Sequence, residues 1–239
     1  MQRNHTLLLS DLHLPNTPSP LRDSFARFLA GPAREAQTVI ILGDLFEYWI
    51  GDDVGQREYR PELAALRALS DSGVNVQFQH GNRDFIVGRR FAAAAGMRIL
   101  PDELCVDLAG VRTLLAHGDQ FCTDDLAYQK WRRFSRRPLF QWIYHRLPES
   151  QRLRVAHKAR SGGQTKPKDI LDVNEQAIRA AFVRHGVERM IHGHTHRPAV
   201  HQYQVEGRTV QRVVLADWRP DHIEYLVCST DGLERRILE

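Results

Sequence analysis

The stretch Thr6-Leu7-Leu8-Leu9-Ser10-Asp11-Leu12-His13-Leu14 runs from strand-forming residues straight into a carboxylate and an imidazole two positions apart. The same junction recurs along the chain. Thr38–Leu42 stops at Gly43-Asp44, and Val74–Phe78 is followed by His80-Gly81-Asn82. Val111–Ala116 ends at His117-Gly118-Asp119, and Arg189–Ile191 leads into His192-Gly193-His194-Thr195-His196. Between these runs, Leu21–Leu29, Arg60–Ser72, Arg89–Ala95 and Val173–His185 carry helical patterns. Short strands alternating with helices predict a layered α/β architecture. Loops just beyond its strands are where a rigid sheet presents a site.

Further strands are expected at Glu103–Leu108, which turns through Ala109-Gly110 into Val111–Ala116, and at four C-terminal runs. Those runs are Val200–Val205, Thr209–Leu215, Ile223–Cys228 and Leu233–Leu238. The middle of the chain behaves differently. Leu126–Arg160 is rich in aromatic, aliphatic and basic residues, and Pro138 and Pro148 mark helix starts or breaks. Phe140, Ile143, Tyr144 and Leu147 give one apolar face on a short helix. Ser161-Gly162-Gly163 reads as a hinge before Asp172 resumes the core pattern. The organisation expected is one domain, 1–239, with a helical cap inserted at 124–170.

A chain of 239 residues can bury a substantial core. Its formal charge of +4 conceals an uneven distribution. Lys130–Lys168 holds 12 Lys and Arg residues and one acid, Glu149, leaving the remainder at −7. An acidic body carrying a basic segment is expected, without a recognisable nucleic-acid module. The three cysteines have no paired spacing, which fits a reducing compartment. The N-terminal apolar run is too short for a signal peptide, and no stretch is long enough to span a bilayer. The expectation is a soluble protein, or one bound at most to a membrane surface.

Carboxylate, imidazole and amide oxygen are all ligands for divalent first-row metals. Alone, a strand-end aspartate is more often a turn or cap residue than a ligand, and a lone histidine is more often a surface or satisfied core residue. Five such groups, each ending an apolar run, point jointly to a two-metal hydrolase that uses an activated water. A shared carboxylate would offset the repulsion between two neighbouring cations. His80 and His192 precede motif glycines and read as structural. Asp119 and Asp217 are candidates to orient ligating imidazoles, with Asp119 equally readable as a turn residue.

The ordered set DxH, GDxxE, GNxD, HGD and GHTH resembles the calcineurin-like metallophosphoesterase superfamily. Within it, Gly81-Asn82-Arg83-Asp84-Phe85, Cys122-Thr123-Asp124-Asp125 and His192–Pro198 resemble the pyrophosphohydrolase family that cleaves UDP-2,3-diacylglucosamine in lipid A biosynthesis. The resemblance implies a layered α-β-β-α sandwich with a helical cap insertion. It implies that Asp11, His13, Asp44 and His196 hold one metal and Asn82, His117 and His194 the second, with Asp44 bridging. It favours manganese, whereas ligand chemistry alone also admits iron, cobalt or zinc. Asp125, Tyr128, Ser161 and Lys166 are implied substrate contacts, beside Asn82, Arg83 and His194. Arg160 joins them by charge and position.

The resemblance places attack by a metal-activated water on the α-phosphorus of the diacylated UDP-glucosamine lipid, giving UMP and 2,3-diacylglucosamine 1-phosphate (lipid X). Many superfamily members carry histidine where this chain has Arg83. Arginine stays charged, so it suits a phosphate clamp better than a general acid; an ion pair with Asp84 or another acid is the plainer alternative. An apolar, basic cap fits a lipid substrate and peripheral contact with an anionic membrane, here the cytoplasmic side of the bacterial inner membrane. No nucleic acid and no obligate protein partner are expected. The rival readings are a two-metal phosphodiesterase or nucleotide pyrophosphatase acting on a soluble substrate, and a non-enzymatic, metal-stabilised scaffold.

Overall fold

The computed structural model describes residues 4–161 and 172–239, with the side chains of 159–161 outside the description. In β1 (Thr6–Leu9) successive side chains point to opposite faces, and both faces are buried. Leu7 and Leu9 enter one core with Phe25, Phe28, Leu66, Leu69 and Phe91. Leu8 enters a second core with Ile40, Leu115, Ile191, Val213 and Leu226. A strand buried on both faces needs a layer on each side, and the topology supplies them.

The first half of the chain alternates strand and helix. α1 (Pro20–Ala30) starts where the Ser19 side chain accepts from the Arg22 N–H, and the short α2 (Pro32–Glu35) follows. Next come β2 (Thr38–Leu42), α3 (Asp52–Glu58), α4 (Arg60–Asp71), β3 (Asn75–Gln79), α5 (Arg89–Ala95) and β4 (Met97–Leu100). A hairpin of β5 (Glu103–Leu108) and β6 (Val111–Ala116) leads to α6 (Leu126–Ser135), α7 (Pro138–Tyr144) and α8 (Glu149–Ser161). The chain closes with α9 (Glu175–His185), β7 (Arg189–His192), β8 (Ala199–Val205), β9 (Arg208–Val214), β10 (Glu224–Ser229) and β11 (Gly232–Ile237).

One sheet runs β11-β10-β1-β2-β3-β4 and the other β5-β6-β7-β9-β8. The Leu8 core lies between them. The outer face of the first sheet is covered by α1, α4 and α5, and that of the second by Ile178, Ala181 and Phe182 of α9. This is the α-β-β-α sandwich. β1, β2 and β3 are mutually parallel, as are β6, β7 and β9. The C-terminal ends of β1–β3 therefore present their loops together, and those of β6 and β7 do the same.

Several elements depart from the sequence reading. α3 contains Gly55 and lacks an apolar stripe; it forms because the Trp49 indole packs on that glycine, where a Cβ would lie 2.0 Å from the ring. β4 is a short edge strand whose parallel pairing with β3 no local periodicity announces. α9 begins at Glu175 because Asn174 is extended and caps it, its side chain accepting from the Ala177 N–H. Of the expected apolar face on α7, Tyr144 is buried and Phe140 and Leu147 pack on the main core, but Ile143 turns outward.

α6–α8 are fastened to the body by arginines. Arg152 of α8 is buried; it donates to the Ile50 carbonyl (2.6 Å) and forks onto Asp53 at 2.8 and 2.6 Å. Part of the basic segment is thus used internally.

Truncating Leu8 to alanine hollows the layer between the sheets. It is expected to cost about 2–5 kcal/mol in denaturant unfolding. Alanine at Ile237, exposed on edge strand β11, is expected to cost within about 0.5 kcal/mol.

Candidate metal centre

Each strand-end loop turns abruptly. Asp11, His13, Asp44, His194 and His196 all have left-handed backbone, with φ between 48° and 67°. Aspartate and histidine tolerate this region better than most residues, yet each instance stores strain that surrounding contacts must hold. Those contacts are backbone hydrogen bonds between loops. Asp11 N donates to Gly43 O (3.1 Å), His13 N to Asp44 O (3.0 Å) and Gly193 N to His117 O (2.9 Å). The loops then accept from one another. Asp11 Oδ2 accepts from His194 N, and Asp44 Oδ1 from Arg83 N, each at 2.8 Å.

Two glycines are required by these approaches. A Cβ on Gly193 would lie 2.2 Å from Asp11 Oδ2, and one on Gly81 would lie 2.1 Å from Asp44 Oδ1. The carboxylates pass directly against the neighbouring main chain, leaving no room for a side chain.

Six of the seven expected ligands are shown converging by their distances. His13 Nε2 and His196 Nε2 face each other at 3.2 Å, and His196 Nε2 lies 3.3 Å from Asp11 Oδ1. His13 Nδ1 is buried without a hydrogen-bond partner, 3.9 Å from Asp44 Oδ2. His117 Nδ1 donates to Leu42 O (2.8 Å), and its Nε2 faces Asn82 Oδ1 (3.1 Å) and Asp44 Oδ1 (3.7 Å). The seventh, His194, sets its ring 5.1 Å from that of His117. Lone pairs crowded around common points, with backbone carbonyls fixing the tautomer, suit divalent cations. Asp11–His13–His196 and Asp11–Asp44–His117 are each compact enough to hold one.

The electrostatics agree. Asp11 and Asp44 are 0% and 2% exposed. Burial works against the Asp11 charge, but the His196 hydrogen bond and the nearby imidazoles outweigh it and hold its pKa below the usual range. Asp44 is pushed up, by burial and then by Asp11, against the pull of His117. Burial, followed by the His117 charge, brings His194 down to about 4, so its imidazole is neutral at ordinary pH. Burial works against the His117 and His196 charges, but the nearby carboxylates outweigh it and raise both.

Arg83 does not pair with Asp84. Its Nη1 binds Glu47 Oε2 at 2.9 Å and its Nε lies 3.4 Å from Asp44 Oδ2. Asp84 is instead buried and accepts from four main-chain N–H groups, those of Gly81, Leu45, Asp44 and Phe46, at 2.8–3.4 Å. It ties the Asp44 loop to the Asn82 loop, and burial with the Asp44 charge pushes it up to about 7. His80 and His192 are structural: His80 Nε2 donates to Val87 O, and His192 Nδ1 to Gly193 O, each at 2.8 Å.

Asp119 accepts from Tyr128 Oη and from Arg132 Nε rather than from an imidazole. Asp217 lies 3.7 Å from His196 Nδ1 and also binds Arg219. Asp125 caps α6 by accepting from Tyr128 N. The side chains of Arg160 and Ser161, and all of Lys166, lie outside the described residues. The acid that pairs with Arg83 is Glu47 rather than Asp84, and the GDxxE and GNxD spacings mark both positions.

A family model described as calcineurin-like phosphoesterase matches residues 5–198. The chain is similar to proteins named UDP-2,3-diacylglucosamine hydrolase. One from Edwardsiella ictaluri is 47% identical, covering 89% of this chain and 84% of the relative. One from Serratia proteamaculans is 45% identical, covering 96% and 97%. Among solved structures, a dimetal phosphatase from Danio rerio aligns with TM-score 0.51 at 14% identity, covering 99% of both chains. Vacuolar Protein Sorting 29 from Cryptosporidium parvum aligns with TM-score 0.50 at 15% identity, covering 99% of this chain and 92% of its own. A phosphatase and a sorting protein sharing one fold show that function must be argued from the site.

Replacing Asp84 by asparagine puts an amide donor among the N–H groups that its carboxylate now accepts from. The expected result is a loss of about 1–3 kcal/mol in thermal or denaturant unfolding, with reduced metal retention on gel filtration.

Proposed function

The chain belongs to the calcineurin-like phosphoesterase family, and we propose that it hydrolyses the pyrophosphate bond of UDP-2,3-diacylglucosamine, releasing UMP and 2,3-diacylglucosamine 1-phosphate for lipid A biosynthesis. The observation that carries this reading is the shared name of relatives 45–47% identical over nearly their whole length. The ligand geometry supports it independently of any name.

Asp11, His13, Asp44 and His196 would hold one divalent ion and Asn82, His117 and His194 the other, with Asp44 shared; we take both to be manganese. Bound there, such ions would supply Lewis acidity toward phosphoryl oxygens and a water of lowered pKa; in this reading the α-phosphorus is the atom attacked. The residues of the chain orient the substrate. Arg83 presents a charged fork beside Asp44, and Glu47 fixes the direction of that fork. A guanidinium binds phosphoryl oxygens but does not surrender its proton, so it suits a leaving group that is itself a phosphate. Asp125, Tyr128, Arg160, Ser161 and Lys166 are the remaining substrate contacts in this reading.

Helices α6–α8 form the cap, within the insertion 124–170. No helix among the described residues is long and apolar enough to cross a membrane. Yet Leu126, Phe134, Leu139, Trp142 and Ile143 are all about half exposed or more on α6 and α7, and Arg146 lies over the Trp142 ring at 3.5 Å. Apolar side chains flanked by arginines suit peripheral contact with an anionic membrane surface, the cytoplasmic face of the inner membrane in this reading. The reading requires no nucleic acid and no obligate protein partner.

Hydrolysis in oxygen-18 water is expected to place the label in UMP; label confined to the lipid phosphate would overturn attack at the α-phosphorus. Turnover of cyclic nucleotides without the lipid would favour a soluble substrate. Arg83→Ala is expected to lower kcat/KM by about 100–1000-fold, as for loss of one oriented donor to a reacting oxygen. Trp142→Glu should reduce sedimentation with vesicles containing phosphatidylglycerol while leaving turnover of detergent-dispersed lipid within about threefold, roughly the kinetic effect expected of a surface substitution.

A further inference from the structure

One face of α6, carrying Tyr128, Gln129, Arg132 and Arg136 at its C-terminal cap, is turned onto two of the ligand loops. Gln129 Nε2 donates to the carbonyls of Asp119 (2.9 Å) and Cys122 (3.0 Å). Arg132 bridges Asp119 Oδ2 and Asp102 Oδ2, both at 2.7 Å. Arg136 Nη1 lies 2.8 and 2.9 Å from the two Asp102 oxygens, and its Nη2 donates to the Gly81 carbonyl at 3.1 Å. The same guanidinium lies over the Phe85 ring at 5.7 Å. Arg136 thus touches the Asn82 loop on both sides of Asn82.

The Gly81 carbonyl belongs to the peptide plane from which Asn82 departs. A glycine leaves that plane free to rotate unless something outside restrains it. The planes on either side of Gly81 are each restrained once, the preceding one through its N–H and the one that leads into Asn82 through its carbonyl. The Gly81 N–H donates to Asp84 Oδ1 at 2.8 Å, and the Gly81 carbonyl accepts from Arg136. The first comes from the same loop and the second from a helix of the insertion. Asn82 Oδ1 then lies 3.1 Å from His117 Nε2.

We propose that Arg136 is a positioning residue for Asn82: a charge on α6 sets the geometry of the Asn82–His117 half of the metal centre. This rests on the assignment of Asn82 as a ligand in the proposed function. The Asp11–His13–His196 half is held by bonds from Asp11 and His13 to the Gly43–Asp44 loop, and none of the Arg136 bonds above reaches those residues.

The test is calorimetric titration of the full metal-free chain with manganese. Arg136→Met keeps the aliphatic stem over Phe85 and removes the donors. It is expected to weaken one of two manganese sites by about 10–100-fold, the usual effect of losing an outer partner of a ligand, and to leave the other unchanged. Arg136→Lys, which keeps one charged donor, should recover part of the loss. In an Asn82→Ala background, Arg136→Met should weaken binding no further, because the two changes act on the same ligand. Arg133→Ala, on the exposed side of the same helix, is the control for charge alone. Unchanged affinities in Arg136→Met, equal weakening of both sites, or further loss in the Asn82→Ala background would overturn the inference. If Arg136→Met does not fold, Arg136→Gln carries the same test. A wild-type chain that takes up one ion or none would instead overturn the ligand assignment beneath it.

Discussion

Two carboxylates, Asp11 and Asp44, are buried side by side at the ends of adjacent parallel strands, and the rest of the site follows from that. Moving two anions out of water is costly unless cations or hydrogen-bond donors surround them. The main chain supplies part of the compensation, through the N–H groups of His194 and Arg83. Arg83 Nε supplies some charge at 3.4 Å. The carboxylates raise His117 and His196 against burial, whereas burial holds His13 and His194 down. A pair of divalent ions satisfies carboxylates and neutral imidazoles together. Left-handed ligands, glycines with no room for a Cβ and the four donors on Asp84 all keep the loops close enough for this.

The two-sheet architecture makes that convergence possible. β1–β3 deliver the Asp11, Asp44 and Asn82 loops from one sheet, while β6 and β7 deliver His117 and the His194–His196 loop from the other. The Leu8 layer fixes the spacing between the sheets, so a core of aliphatic side chains determines how closely ligands from different sheets approach. α6 joins this arrangement from outside the sandwich. Its arginines meet Asp102 and Asp119, whose carboxylates lie beside ligand-bearing loops.

The sequence made the strands legible because the site-bearing runs are short, apolar and cut off by glycine or by a ligand. The boundaries of β2, β5 and β6 come out as expected for that reason. α3 was illegible because a tertiary contact, Trp49 on Gly55, takes the place of an apolar stripe. The residues that converge were also legible, since carboxylate and imidazole recur at strand ends. The holding groups were not. Nothing in the order of residues shows that Asp84 gathers N–H groups from two loops, or that Asp119 takes a tyrosine and an arginine instead of an imidazole. The basic segment was read as a surface for anionic headgroups. Arg132, Arg136 and Arg152 instead face carboxylates of the body, a distinction that charge counting cannot make.

In the proposed function, seven side chains from five loops form one centre for two ions. Anomalous scattering from crystals grown with manganese tests it most directly. Two peaks per chain are expected, one against Asp11, His13, Asp44 and His196 and the other against Asp44, Asn82, His117 and His194. A single peak, or peaks away from Asp44, would contradict it.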